Sequence, residues 1–246
     1  MAAPLMAGVQ DRDQTDVLVL GMGTGTFATQ CGRYFDGVRI EGVEIDEKIT
    51  KLARQYFELP EEVPVVTYDG RAYLNAVDRK YDVIMVDAFQ DITIPFQMST
   101  VEFFMKVKEH LNGGGVMVVN FNMRGQEEGN INQYLADTIS RVFGQVYMID
   151  VAGSTNRALY AFDCDEALQV FQQNIEKVPQ KELADLMGHI RQGMKRYEAG
   201  DYVMTDDKAP VELLGMQVID KLIQGEVKYY KDVHKREGLS GLLRGL

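Results

Sequence analysis

Four strand-like runs within the first ninety residues each end on a glycine loop or a carboxylate. Val17–Leu20 leads into Gly21-Met22-Gly23-Thr24-Gly25, Arg39–Val43 into Glu44, Val65–Thr67 towards Asp69, and Val83–Val86 into Asp87. In an open parallel sheet, ligands bind in the crevice beyond the carboxyl ends of the strands. The four ends are therefore expected to line one pocket, and that pocket is acidic. It suits a cationic ligand better than a phosphate-bearing one.

The loop narrows the chemistry. Gly21-x-Gly23-x-Gly25 after a strand is a nucleotide-binding signal, although glycines at such a turn also serve close packing. A dinucleotide fingerprint begun at Gly21 requires glycine at position 26, where this chain has Thr26. No lysine or arginine lies between Gly21 and Gln30, so a Walker-type phosphate clamp is absent. Glu44 follows the loop by about 20 residues, where a carboxylate accepts hydrogen bonds from ribose hydroxyls. An S-adenosyl-type nucleoside fits this pattern better than NAD. Asp46 either N-caps the helix starting at Glu47 or reaches the ligand. Asp69, in Tyr68-Asp69-Gly70-Arg71, is either a turn or cap residue or an acceptor for an adenine amino group. Asp87 is either a capping residue or a carboxylate at the crevice mouth, where burial is costly unless it meets a cation. His110, His189 and His234 lack metal-ligand spacing, so no metal is expected.

The elements that must position these residues follow from apolar pattern and breakers. Strands are expected at Asp16–Gly21, Val38–Glu44, Val63–Thr67, Tyr81–Val86 and Val116–Phe121. Helices are expected between them, at Gly25–Phe35, Asp46–Phe57, Arg71–Val77 and Thr100–Leu111, the last stopped by Asn112-Gly113-Gly114-Gly115. After a helix over Gly129–Phe143, strands Gln145–Val151 and Arg157–Asp163 are joined by too short a link for a crossover and must be antiparallel. This layout is an α/β, Rossmann-like, class I methyltransferase-type fold: a mostly parallel seven-stranded sheet with an antiparallel final strand. Residues 1–164 would form the nucleoside-binding domain and 165–246 a helical extension packed on it. The 246 residues suffice for one such core.

Net charge is −11, which disfavours binding to a nucleic-acid backbone. No apolar run reaches the roughly 18 residues of a membrane helix. Met1–Gln10 lacks the features of a signal peptide. Cys31 and Cys164 are too few for a disulfide framework. A cytoplasmic address is the expectation. Lys228, Lys231, Lys235 and Arg236 read as a solvated helix face, while Leu239, Leu242, Leu243 and Leu246 are candidates for packing on a partner subunit.

From about Val17 to Phe121 the chain resembles the spermidine synthase (polyamine aminopropyltransferase) family. The matching stretches are Val17–Gly25, Val43-Glu44-Ile45-Asp46, Asp69-Gly70, Tyr81–Asp87, Ile94-Pro95-Phe96, Thr100-Val101-Glu102-Phe103-Phe104, and Leu111 through Gly114 to Val119. The resemblance implies transfer of an aminopropyl group from decarboxylated S-adenosylmethionine, a co-substrate, to an amine such as putrescine, in a homodimer. It implies nucleoside contacts from Gly21, Gly23, Gly25, Glu44, Asp69 and Gly70, and a catalytic role for Asp87. Three positions around the substrate depart from the family or flank a departure. Thr24 stands where the family loop usually carries an aspartate. Gln90 stands where a second aspartate usually follows the catalytic one, with Asp91 beside it. The family's N-terminal β-hairpin domain has no counterpart, as expected of a truncated or divergent member. Thr205–Glu212 is similar to a segment of divergent members, and also reads as a helix start with Pro210 in its first turn. Two alternatives remain open: an S-adenosylmethionine-dependent methyltransferase, for which the neutral Thr24 speaks, and a catalytically inactive binding protein.

Overall fold

A computed structural model describes residues 1–8, 14–88, 95–121, 128–151 and 156–242. One eight-stranded sheet organises them, in the order β3-β2-β1-β4-β5-β7-β6-β8. The strands are β1 (Thr15–Leu20), β2 (Val38–Glu44), β3 (Val65–Thr67), β4 (Tyr81–Val86), β5 (Leu111–Phe121), β6 (Gln145–Asp150), β7 (Arg157–Phe162) and β8 (Lys195–Arg196). The first five are parallel, and β7 and β6 then form the antiparallel hairpin expected from their short link. The two-residue β8, absent from the sequence reading, pairs antiparallel with β6 at the far edge.

The central strands bury alternate residues on opposite faces, as the two-residue repeat of a strand requires. Val17 and Val19 of β1 belong to the core layer that holds Phe162 and Phe171, while Leu18 and Leu20 belong to the layer that holds Phe103, Phe104 and Met98. The first layer is covered by α1 (Ala2–Met6), α2 (Thr26–Tyr34), α3 (Glu47–Tyr56), α7 (Ala167–Lys177) and α8 (Lys181–Gly193). The second is covered by α4 (Gly70–Ala76), α5 (Val101–Glu109), α6 (Ile131–Ser140) and the start of α9 (Val211–Leu242). The buried helix α1 lies in a stretch for which the sequence suggested no element. Pro210 precedes α9, its carbonyl accepting from the Leu214 amide.

The other departure is at β5. Asn112–Gly115 was expected to stop a helix, yet it lies inside the strand. Leu111 pairs with Tyr81 and Val116 with Val83, so the extra residues form a bulge that glycines can fold without a side-chain clash. Gly114 has φ +81°, and Asn112 turns its amide onto the buried carboxylate of Asp82 at 2.9 Å. Asp82 also accepts from the Asp16 amide at 3.0 Å, which ties the starts of β1 and β4 together.

Strand order reverses at β1: the chain steps outward to β2 and β3, then returns to β4 on the other side. A crevice opens at such a switch point. The loop after β1 and the carboxylate after β4 stand on its two banks.

Candidate active site

The crevice is a cleft of about 180 Å³. Gly21, Gly23, Glu44, Asp69, Gly70 and Asp87 all line it. Gly25 does not; it begins α2 at φ +77° against Leu59. Thr24 is exposed, its hydroxyl 2.9 Å from that of Thr26, and it is not among the lining residues. Asp46 caps α3, accepting from the Lys48 amide at 2.8 Å. Gln90 and Asp91 lie outside the described residues.

Glu44 is the electrostatic anchor. It is only 6% exposed, and one oxygen accepts from the Gly23 amide at 2.9 Å while the other accepts from Asp46 at 3.1 Å. The carboxylate thereby fixes the glycine loop. A carboxylate has about four acceptor sites, so each oxygen keeps capacity for a ligand hydroxyl. Asp69 is likewise divided: Oδ1 caps α4 through the Ala72 amide at 2.8 Å, and Oδ2 faces the Gln97 side-chain amide at 3.4 Å. Both alternatives raised by its sequence context are thus compatible with one position.

Asp87 leaves β4 directly beneath the loop, its amide donating to Leu20 at 2.8 Å. A Cβ on Gly21 would come within 2.6 Å of the Asp87 carbonyl oxygen, so only glycine lets the two segments touch. Burial pushes the Asp87 carboxyl above its ordinary range, and a hydrogen bond from Asn120 at 3.0 Å opposes that shift. Such a carboxylate is poised to take a proton or to neutralise a cation.

Several participants escaped the sequence reading. Asn120 is one polar residue near the end of Val116–Phe121, and that break in an apolar strand was a usable signal. Ile45 and Tyr68 follow Glu44 and Thr67 and line the cleft although 68% and 51% exposed, leaving apolar surface free to meet a flat ring. Gln97 gave no signal. Neither did Arg71, which donates to both carboxylate oxygens of Asp206 at 2.7 and 2.6 Å and to the Gln97 carbonyl at 3.1 Å. The guanidinium in turn holds the Asp206 carboxyl below the usual range. Thr100 donates to Asp206 at 2.7 Å, and the Asp206 amide donates to Glu102 at 3.0 Å. The turn at Thr205–Lys208 is therefore clamped to the wall of the cleft.

Comparison with known proteins finds relatives of both the sequence and the fold. The family model for the spermine/spermidine synthase domain matches residues 4–154. A probable polyamine aminopropyl transferase of Bifidobacterium longum is 46% identical over 263 aligned positions, covering 100% of this chain and 58% of the relative. This chain thus spans little more than half of that protein. Among solved structures, human methyltransferase-like protein 13 in complex with SAH superposes with a TM-score of 0.60 at 23% identity, covering 75% of this chain and 98% of the other. A spermidine synthase in complex with the transition-state analogue AdoDATO superposes with a TM-score of 0.59 at 17% identity, covering 78% and 72%. At those identities the structural likenesses speak for the fold alone.

Proposed function

Because the chain belongs to the spermine/spermidine synthase domain family, we propose that it transfers an aminopropyl group from decarboxylated S-adenosylmethionine to an amine such as putrescine. The observation that carries this reading is the charge of the cleft. Among the described residues its lining holds three carboxylates, Glu44, Asp69 and Asp87, and no lysine, arginine or histidine. A sulfonium nucleoside and a cationic amine are both drawn to such a site, and a pyrophosphate is repelled.

In this reading Glu44 accepts from the ribose hydroxyls, Asp69 accepts from the adenine amino group, and Ile45 and Tyr68 cover the ring. The acceptor nitrogen attacks the carbon next to the sulfonium, that C–S bond breaks with its electron pair going to sulfur, and methylthioadenosine leaves. The nitrogen must attack as a free base, although an alkylamine has a pKa near about 10. Asp87 orients the amine and receives its proton, a task that its raised proton affinity suits. Asn120 holds the carboxylate in place. Residues 1–164 act as the nucleoside-binding domain, with 165–246 as an extension on it. No helix among the described residues is long and apolar enough to cross a membrane, and the proposal includes a cytoplasmic address. It also includes a homodimer, supported by Leu213, Met216, Ile223 and Val227, which lie exposed at helical spacing along α9.

Asp87→Asn tests the role directly. Turnover should fall about 10²–10⁴-fold, the usual worth of a positioned acid or base, while calorimetry shows nucleoside binding largely kept. Unchanged turnover rejects the assignment. The exposed Thr24 favours a second reading, methyl transfer, because a neutral loop does not repel the carboxylate of S-adenosylmethionine. Titration with S-adenosylmethionine and its decarboxylated form separates the two, and binding without turnover on any amine would indicate an inactive binding protein.

A further inference from the structure

A second cavity, of about 750 Å³, opens between the β6–β7 hairpin and α8. That volume lies within the range of about 300–1,000 Å³ typical of small-molecule pockets. Ile149 and Tyr160 line it from the sheet, Leu186, His189 and Ile190 from α8, and Arg196 from β8. Gly193 lets the end of α8 close onto β6, since a Cβ there would meet Ile149 at 2.9 Å. Cross-strand partners share a face; Tyr147 is paired with both Tyr160 and Arg196, so the phenol and the guanidinium rise from the same side of the sheet.

Two features of this cavity bear on what it can hold. Tyr160 is 5% exposed and lines the cavity. A tyrosine so placed pairs an apolar ring with a hydroxyl that can meet a polar group, which phenylalanine would not offer. Burial pushes its pKa up to about 12, so the hydroxyl stays protonated at neutral pH and available to donate. The second feature is charge. In a chain of net charge −11, the mouth carries His189, Lys195 and Arg196, none with an acidic partner among the described residues. The carboxylate in the lining, Asp150, is held by Arg157 at 2.6 Å. A positive rim repels the polyamines that the acidic cleft attracts.

We propose that this cavity is a binding site for a small amphipathic anion, with a carboxylate or sulfonate that accepts from Tyr160, pairs with Arg196, and carries a flat apolar body packed on Ile149, Leu186 and Ile190. The site is separate from the nucleoside cleft and does not rest on the proposed transfer reaction.

The probe is 2-naphthoate, read by its own fluorescence in a protein that contains no tryptophan. Saturable one-to-one binding is expected, with the uncharged 2-naphthamide about tenfold weaker. Tyr160→Phe and Arg196→Gln should each weaken the acid by about tenfold, and Arg196→Gln should leave the amide unchanged. Methylthioadenosine should not displace the probe. Equal affinity for acid and amide, indifference to both substitutions, displacement by methylthioadenosine, or absence of saturable binding would each overturn the proposal. Arg196 is exposed, so its substitution carries the test even if Tyr160→Phe does not fold.

Discussion

Replacing Gly21 by alanine tests the contact on which the cleft is built. Gly21 has φ +87°, and a Cβ there would lie 2.6 Å from the Asp87 oxygen, 2.7 Å from its carbonyl carbon and 2.8 Å from the Ala88 Cα. All three are backbone atoms of the β4 exit and cannot rotate away. Restoring an ordinary contact of 3.4 Å requires a shift of nearly an ångström between loop and strand. The left-handed backbone costs about 1–2 kcal/mol with a side chain, and overpacking adds about 1–3 kcal/mol. The sum, about 2–5 kcal/mol, corresponds to a melting point lower by about 5–15 °C in a chain of this size. Gly23→Ala is the control. Its φ is +54° and its Cβ would meet nothing within 4 Å, so only the backbone cost of about 1–2 kcal/mol applies. Circular dichroism melts and nucleoside calorimetry on both variants give the answer. Equal melting points for the two, or Gly21→Ala within about 2 °C of the parent, would refute the argument.

Other consequences are as direct. Because burial raises the folded-state pKa of Asp87, its contribution to stability is present below the unfolded value of 3.8 and lost as pH rises through the folded value. Asp87→Asn should therefore melt about 2–4 °C higher than the parent at pH 7, equivalent to about 1 kcal/mol, with the advantage vanishing in acid; an unchanged melt at pH 7 contradicts it. Glu44→Gln turns an amide NH2 towards one of two backbone donors, Gly23 or Asp46, and leaves that donor unmet. It should cost about 1–3 kcal/mol and weaken nucleoside binding by at least about tenfold; parental affinity in calorimetry would count against the anchor. Asp206→Ala frees Arg71 and Thr100, and for this half-exposed pair a loss of about 1–2 kcal/mol is expected. Nucleoside affinity should drop with it through Gln97, and a melt and affinity equal to the parent's would deny the clamp any effect.

Much of this was written locally in the chain. The parallel strands show as apolar runs because both faces are covered, and their last residues show as glycine or carboxylate because the crevice lies there. Asp46 and Asp69 carried their capping role in their own neighbourhoods. What the chain hid depends on distance. The clamp between Arg71 and Asp206 spans 135 positions, and neither residue has a local pattern that names the other. The glycines at 113–115 look like a helix stop because the bulge they fill exists only once β4 lies alongside. Strand β8 has two residues, too few for any period to show. The Tyr160 cavity arises from how α8 lies on a hairpin and has no signature in either segment.

The stretch between β8 and α9 crosses the molecule like a belt. Asp137 of α6 accepts from the Tyr197 hydroxyl and from the amides of Gly200 and Tyr202, Thr138 accepts from Met204, and Asp206 then buckles onto Arg71. The four fastening points lie on α4, at the N-cap of α5 and on α6, far upstream of the belt itself. Inheritance of the tail is therefore tied to Arg71, Thr100, Asp137 and Thr138. A chimera that exchanges residues after 164 with a relative should keep its nucleoside affinity only when those four travel with the tail they hold.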